Sequence, residues 1–194
     1  LLGSNDYNAF GDNLAQKSPQ TLRIAYANIG RLPIPPFHQK HYDLAHKVKK
    51  WEVDILCMVD ICVNWSALQK RSSWHTRMQP LMPRTASRLA HNVYEGSTSQ
   101  DPVQFGGTGI LLAREATARL IPAGLTTDST NLGRWTAARM MGRSGVHLTV
   151  ISVYVPTITR RQATETAGDT VHEQQERYLE RHGRYMSPPR SALI

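Results

Sequence analysis

One stretch decides the fold of this chain: Asp54-Ile55-Leu56-Cys57-Met58-Val59-Asp60, an apolar run enclosed by two acids. The run is short for a helix and has the length of an ordinary strand. Because its apolar residues are continuous and do not alternate with polar ones, both faces of that strand are expected to be buried. The run therefore predicts a central strand in a layered sheet.

The segments before this run predict a strand and then a helix. Apolar residues alternate over 22–28, which is typical of a strand, and Asn28-Ile29-Gly30 ends it. The helix is indicated by residues that recur at helical spacing, with lysines on the other side: His41, Leu44, Ala45, Val48, and Trp51 or Glu52. The order strand, helix, buried strand is typical of an α/β protein.

The segments after the run predict more strands than helices. Residues 66–105 are expected to be a long basic loop region. Strands are indicated at Gly109–Ala113, at a short pair around Ala118–Ile121 and Trp135–Met141, and at His147–Val155, and a helix at Gln174–Arg184. The pattern predicts an α/β fold with one mixed, mostly antiparallel sheet and flanking helices.

We expect residues 1–20 to be a polar leader and residues 21–194 to be the N-terminal part of one domain, truncated at its C-terminus.

Composition narrows the class of protein. The chain is 40% hydrophobic and 20% charged, which indicates a globular domain. No run reaches the ~18 apolar residues of a membrane helix, so no membrane partner is expected. Cys57 and Cys62 lie in or beside the apolar run and are expected to be free, buried thiols in a reducing compartment. This predicts an intracellular protein, for which the nucleus is a plausible location.

Positive charge is concentrated in two stretches without carboxylates. The net charge is +8, and no acid occurs between Asp60 and Glu95 or over residues 129–164. Arginines with interleaved aromatic residues are typical of nucleic-acid contact. The candidate nucleic-acid-binding residues are Arg71, Arg77, Arg84, Arg88, Arg134 and Trp135. A solvated basic face is the alternative, and the sequence leaves it open.

Three polar side chains lie at predicted strand ends. Asn28 ends the first strand, Asp60 ends the buried strand, and Tyr154 lies near the end of the last. An amide, a carboxylate and a phenol at one rim have the chemistry to orient a phosphate and to hold Mg²⁺ or Mn²⁺. Asn and Asp are also ordinary turn residues, so spacing alone leaves both interpretations open.

Six motifs in order resemble the endonuclease/exonuclease/phosphatase superfamily, whose members include DNase I-like enzymes. The resemblance covers about residues 21–185 and includes forms found beside reverse transcriptases in mobile elements. The motifs are Leu22 to Gly30, Asp54 to Trp65, Gly106 to Ile110, Leu132-Gly133-Arg134-Trp135, Ser152 to Pro156, and Gln174 to Leu179.

The resemblance implies a fold and a function. It implies part of a four-layer α/β sandwich, with an apolar inner face left uncovered and poor solubility as a result. It implies a Mg²⁺-dependent endonuclease that cuts DNA, from a retrotransposon-type polyprotein. Asn28 and Asp60 would hold metal and phosphate, and Tyr154 would contact the scissile phosphate. The expected partners are DNA, the missing C-terminal half and a reverse transcriptase domain.

Two departures from the family pattern bear on activity. The family has Glu where this chain has Asp60, whose carboxylate is one methylene shorter, so weaker metal binding is expected. The family's "GDFN" and "SDH" motifs do not occur before Ile194. We therefore expect this fragment to be inactive alone. The alternatives are a non-catalytic nucleic-acid-binding relic and a phosphatase-type relative acting on a small phosphoester.

Overall fold

The computed structural model describes residues 14–36, 38–65, 68, 73–91, 106–129 and 132–155. Within these ranges the chain forms strands, helices and one 3-10 turn at Arg143–Gly145. In chain order the strands and helices are β1 (Ile24–Asn28), α1 (Gln39–Lys50), β2 (Ile55–Val59), α2 (Trp74–Met78), β3 (Ala86–Ala90), β4 (Thr108–Leu112), α3 (Glu115–Ala118), β5 (Leu120–Thr127), β6 (Trp135–Met141) and β7 (His147–Val153).

Strand β2 is the centre of the first sheet, whose order is β1-β2-β4-β3. It pairs with β1 in parallel and with β4 antiparallel. All its residues are buried. Leu56 and Met58 face one hydrophobic core, and Ile55 and Cys57 face the other. The prediction of a strand buried on both faces is confirmed.

A second sheet, of order β5-β6-β7, packs on the Ile55 and Cys57 side. We expected one sheet, and the structure corrects this. Ala138 and Met140 of β6 bury their side chains against the first sheet. An apolar strand face gains most from burial when another sheet covers it, whereas extending the first sheet edgewise would leave that face in water. The α/β class is as predicted, with most strand pairs antiparallel.

Helices cover the other face of the first sheet. Ala45 and Val48 of α1 and Trp74 and Met78 of α2 are buried in that core, which confirms the amphipathic helix α1. Residues 66–105 are not loop throughout, since they contain α2 and β3. The Ser73 hydroxyl caps α2, a local signal that the sequence analysis missed. No helix within the described ranges is long and apolar enough to span a membrane.

The first sheet extends beyond the second at β1. Ile24 and Tyr26 are in register with Ile55 and Cys57. Their side chains therefore lie on the same face of the first sheet as Ile55 and Cys57, the face on which the second sheet packs. Their side chains nevertheless remain 49% and 64% exposed. An uncovered apolar area therefore lies beside the end of β1, while the expected poor solubility stays a prediction. The helix predicted at Gln174–Arg184 lies outside the described residues.

Candidate phosphate-binding rim

Asn28 and Asp60 lie side by side at one edge of the first sheet. Asn28 is the register partner of Val59, and Asp60 follows directly. The amide of Ile29 donates to the Val59 carbonyl at 2.9 Å, and the amide of Arg31 donates to the Asp60 carbonyl at 2.8 Å. Because β1 and β2 are parallel, both residues leave the sheet at its carboxyl edge. We call this edge, with Tyr154, Arg31 and Arg134, the rim.

The segment after Asp60 is held on its other side by a pair of glycines. The Asp60 amide donates to the Gly107 carbonyl at 2.9 Å, and the Cys62 amide donates to the Gly106 carbonyl at 2.8 Å. Residues 60–62 therefore lie between two neighbouring segments. This places the Asp60 carboxylate on an anchored backbone and not on a free loop.

The backbone at the rim adopts uncommon conformations. Arg31, Asp60 and Cys62 have φ of 73°, 58° and 51°, in the left-handed region that side chains disfavour. Each such residue costs about 1–3 kcal/mol and persists only where its surroundings fix it. The hydrogen bonds to both neighbouring segments provide that constraint. With three such residues at one edge of the sheet, the segments that carry Arg31 and Asp60 are held in a fixed, strained conformation.

Tyr154 comes to the rim from β7. Its amide donates to the Arg134 carbonyl at 2.8 Å. Its ring lies so close to Gly106 that an added Cβ there would be 3.0 Å from a ring carbon. Burial raises the pKa of Tyr154, and the negative charge of Asp60 raises it further while Arg134 opposes the shift. The phenol is therefore a protonated hydrogen-bond donor near Asp60 and Arg134.

Arg134 is held at the rim through its backbone. Its amide donates to the Asp128 carboxylate at 2.9 Å, which fixes the turn before β6. Burial lowers the pKa of Arg134, while the charges of Tyr154 and Asp128 favour the cation. Within the described ranges its Nη2 is buried and has no hydrogen-bond partner. A buried guanidinium donor of this kind favours an anionic acceptor, and phosphate is a good one.

Cys62 contacts the predicted metal carboxylate. Its thiol donates to Asp60 Oδ1 at 3.0 Å. Burial, followed by this hydrogen bond, raises the pKa of Cys62 to about 11. The thiol is buried and free, as predicted, but its contact with Asp60 was missed. The sequence contained the Asp-x-Cys spacing of these residues. That spacing brings the two side chains together only because the backbone at Asp60 and Cys62 adopts left-handed conformations.

Two more residues at the rim were missed by the sequence analysis. The Arg31 cation is close enough to oppose the upward shift of the Cys62 pKa. The exposed Tyr26 is close enough to influence the pKa of Tyr154. Arg31 follows Gly30 at the end of a strand, which is an ordinary turn pattern. Tyr26 belongs to the alternating pattern that predicted β1, and nothing local distinguishes it from a core aromatic residue.

The other candidate nucleic-acid-binding residues do not all gather at the rim. Arg77 is buried, donates to the Pro33 carbonyl at 3.0 Å and stacks on the Trp65 ring at 4.9 Å. This placement favours a packing role for Arg77, not phosphate contact. Arg88 lies on β3, at the opposite edge of the first sheet from β1. Arg84 and Trp135 are exposed, Trp135 beside Arg134. Arg71 lies outside the described residues.

The donors at the rim are too few to enclose Mg²⁺ by themselves. Among the described residues, the carboxylates at the rim are Asp60, one of whose oxygens accepts the Cys62 thiol, and the buried Asp128, which accepts the Arg134 amide. The Asn28 side-chain oxygen accepts the Gly30 amide at 2.9 Å. Over the described part of the chain, no group of three His, Cys, Asp or Glu residues is arranged to hold a metal ion. These residues therefore do not fit a metal bound by protein ligands alone.

Comparison with known proteins concerns the fold. No protein-family model matches the chain, and no curated protein matches it by sequence. Solved structures similar to it include two described as endonuclease/exonuclease/phosphatase proteins. One from Beutenbergia cavernae is 12% identical, with 84% of this chain and 44% of that one covered and a TM-score of 0.46. One from Leptotrichia buccalis is 10% identical, with 80% and 61% covered and a TM-score of 0.45.

A retroelement protein is also among the similar structures. It is the endonuclease domain of TRAS1, a telomere-specific non-LTR retrotransposon, at 12% identity, 84% and 55% coverage and a TM-score of 0.38. The chain spans 44% to 61% of the lengths of these three structures.

Proposed function

We propose that the rim binds the phosphodiester backbone of DNA, as the phosphate-binding part of an endonuclease-type domain. The observation that carries the proposal is the meeting of Asp60, Tyr154 and Arg134, which come from three separate segments. The Tyr154 amide donates to the Arg134 carbonyl at 2.8 Å, and the Tyr154 ring lies against Gly106, which pairs with the segment that follows Asp60. Arg134 brings a partly buried cation whose Nη2 has no hydrogen-bond partner among the described residues. Together they offer a phosphate a charge-assisted hydrogen bond and a neutral phenol donor.

The surroundings of the rim favour nucleic acid over a small phosphoester. Tyr26 is 64% exposed and near Tyr154, so its ring is accessible to a base or sugar next to a bound phosphate. Arg31 adds a second cation on an exposed loop. A phosphatase-type pocket would enclose a small ligand, whereas this aromatic residue and this arginine are open to solvent.

Arg134→Ala is expected to weaken binding of a short duplex by about tenfold, since it removes one charge-assisted contact. The slope of log affinity against log salt should fall by about one, because one phosphate contact is lost. Fluorescence anisotropy with a labelled duplex, repeated over a range of salt concentrations, measures both quantities.

Arg139→Ala is the matched control. Arg139 lies on β6, the strand that begins just after Arg134, is exposed and contacts His147 at 2.6 Å. Its loss should change binding less than twofold, roughly the level of a screened surface charge. Arg134→Lys is a second control, because it keeps a positive charge at this position. If this variant still binds duplex while Arg134→Ala does not, the loss in Arg134→Ala comes from the missing charge and not from misfolding. Equal losses in the two alanine variants would indicate a diffuse basic surface and contradict a defined rim.

The variant Asp60→Asn distinguishes two kinds of phosphate site: one that binds phosphate directly and one that binds it through Mg²⁺. In EDTA the Asp60 carboxylate repels phosphate, so the variant should bind duplex about fivefold more tightly, which corresponds to about 1 kcal/mol. If Mg²⁺ bridges Asp60 and phosphate, wild type should gain affinity on Mg²⁺ addition and the variant should not. Anisotropy titrations with EDTA and with Mg²⁺ give the sign of each effect.

The expected result is tighter binding by Asp60→Asn in both buffers, because the rim donors do not fit a protein-held metal. A gain in affinity on adding Mg²⁺ that is confined to wild type would show that metal, water and phosphate complete a shell around Asp60. Glu115→Gln, at an exposed position of helix α3, controls for general loss of negative charge. Weaker binding by Asp60→Asn in EDTA would place the phosphate elsewhere.

The parent protein is proposed to be a DNA-cutting enzyme of retrotransposon type, with Mg²⁺ or Mn²⁺ as cofactor and a reverse transcriptase domain as partner. This chain alone is expected not to nick supercoiled plasmid with either metal. The alternative, a non-catalytic relic, is tested in the longer reading frame. If neither wild type nor Asp60→Glu nicks plasmid there while DNA binding is intact, the enzyme proposal fails.

A further inference from the structure

Lys40, near the start of α1, reaches the loop that follows β1. Its ammonium group donates to three consecutive carbonyls, those of Ile29 at 2.6 Å, Gly30 at 3.1 Å and Arg31 at 2.7 Å. An ammonium has three N–H donors, so this set accounts for all of them. The sequence showed Lys40 only as one of several lysines on a helix.

The backbone conformation of this loop is strained, so contacts from another part of the chain are needed to hold it. Gly30 and Arg31 both have left-handed φ values, 54° and 73°. An Arg residue in this region is strained, and strained residues persist only where other contacts hold them. Three carbonyls directed at one point also repel one another unless a cation lies between them. Lys40 supplies that cation.

The same loop carries the side chains that line one side of the rim. The Gly30 amide donates to the Asn28 side-chain oxygen at 2.9 Å, which fixes the amide group. The Arg31 amide donates to the Asp60 carbonyl, and the Leu32 amide donates to the Ile61 carbonyl, both at 2.8 Å. Each of these bonds depends on the loop conformation that Lys40 stabilises.

We propose that Lys40 is a positioning residue, whose bonds to the three carbonyls hold Asn28 and Arg31 at the rim in the geometry that receives a DNA phosphate. Lys40 itself does not touch the phosphate, because its three donors are used inside the protein. This inference rests on the proposed function for its ligand and on the observed contacts for its mechanism.

The test compares Lys40→Met with wild type and with Lys49→Met, which removes an exposed lysine from the same helix. Amide hydrogen exchange follows the loop directly. Exchange of the Arg31 and Leu32 amides should accelerate at least about tenfold in Lys40→Met, through local opening, and stay at the wild-type rate in Lys49→Met. Duplex binding should weaken about fivefold in Lys40→Met alone.

A further variant gives a chemical rescue. Lys40→Ala leaves three carbonyl oxygens facing the space that the side chain filled. Ethylammonium at tens of millimolar should slow the exchange of the Arg31 and Leu32 amides again, whereas tetraethylammonium, which has no N–H, should not. Rescue of this kind separates a specific ammonium site from a general loss of stability, which neither ion would repair.

The outcomes separate the two proposals. Unchanged amide exchange in Lys40→Met would overturn the inference while leaving the rim intact. Faster exchange with unchanged duplex binding, where Arg134→Ala still weakens binding, would overturn the positioning role. If wild type binds no duplex but exchange accelerates in Lys40→Met, the proposed function fails and Lys40 retains only its effect on the loop.

Discussion

Replacing Asp54 with alanine is expected to lower the free energy of unfolding by about 3–5 kcal/mol. The Asp54 side chain is 1% exposed, and its carboxylate lies 2.5 Å from the ammonium of Lys17, which is 11% exposed. It also accepts the Arg23 amide at 2.7 Å. Alanine would leave a mostly buried ammonium without its counter-charge and an amide without its acceptor. Equilibrium unfolding in urea, with unchanged slope, measures the loss.

The neighbouring ion pair of Glu52 and Arg114 is the matched control. Its atoms are 3.3 Å apart, and its side chains are 39% and 45% exposed. Glu52→Ala should therefore cost less than about 1 kcal/mol. Asp54→Asn provides a milder variant if the alanine form does not fold, since it keeps an acceptor for Arg23. A loss for Asp54→Ala no greater than for Glu52→Ala would contradict the prediction.

Stability is expected to fall as pH falls from about 6.5 to about 4, because His41 must stay neutral in the folded chain. His41 is buried, and burial, followed by the charges of Arg77 and His38, lowers its pKa from 6.5 to about 4. In this window the unfolded state binds more protons, so stability present above pH 6.5 is lost toward pH 4. The full effect is about 3 kcal/mol at 1.36 kcal/mol per unit.

His41→Leu should flatten this part of the stability curve, because leucine takes up no proton. His46→Leu, on the exposed side of the same helix, should leave the slope unchanged. Burial also lowers the pKa of His91, which acts in the same direction. The informative quantity is therefore the difference between the wild-type and His41→Leu curves from urea unfolding at each pH. Parallel curves would contradict a role for His41.

The sequence was sufficient to predict an element wherever the burial of its side chains produces a local pattern of apolar residues. The continuous run Ile55–Val59 predicted a strand with two buried faces, and both faces lie in hydrophobic cores. Helical spacing of His41, Ala45 and Val48 predicted the buried face of α1. These patterns are readable because the period of each element fixes which side chains share a face. Asn28 and Asp60 were placed at strand ends by the sequence, and the parallel pairing of β1 with β2 in the structure brings them to one edge.

Tertiary structure alone decided which distant segments meet. Arg77 and Arg134 have similar basic surroundings in the sequence, yet Arg77 packs on Trp65 and Arg134 reaches Tyr154. The sequence also did not show three other features. These are the division of the strands into two sheets, the contact of the Cys62 thiol with Asp60, and the contact of the Lys40 ammonium with the loop after β1. A local pattern records how much of a residue is buried, but not which residue buries it. That partner is fixed only when the two sheets and the helices pack together.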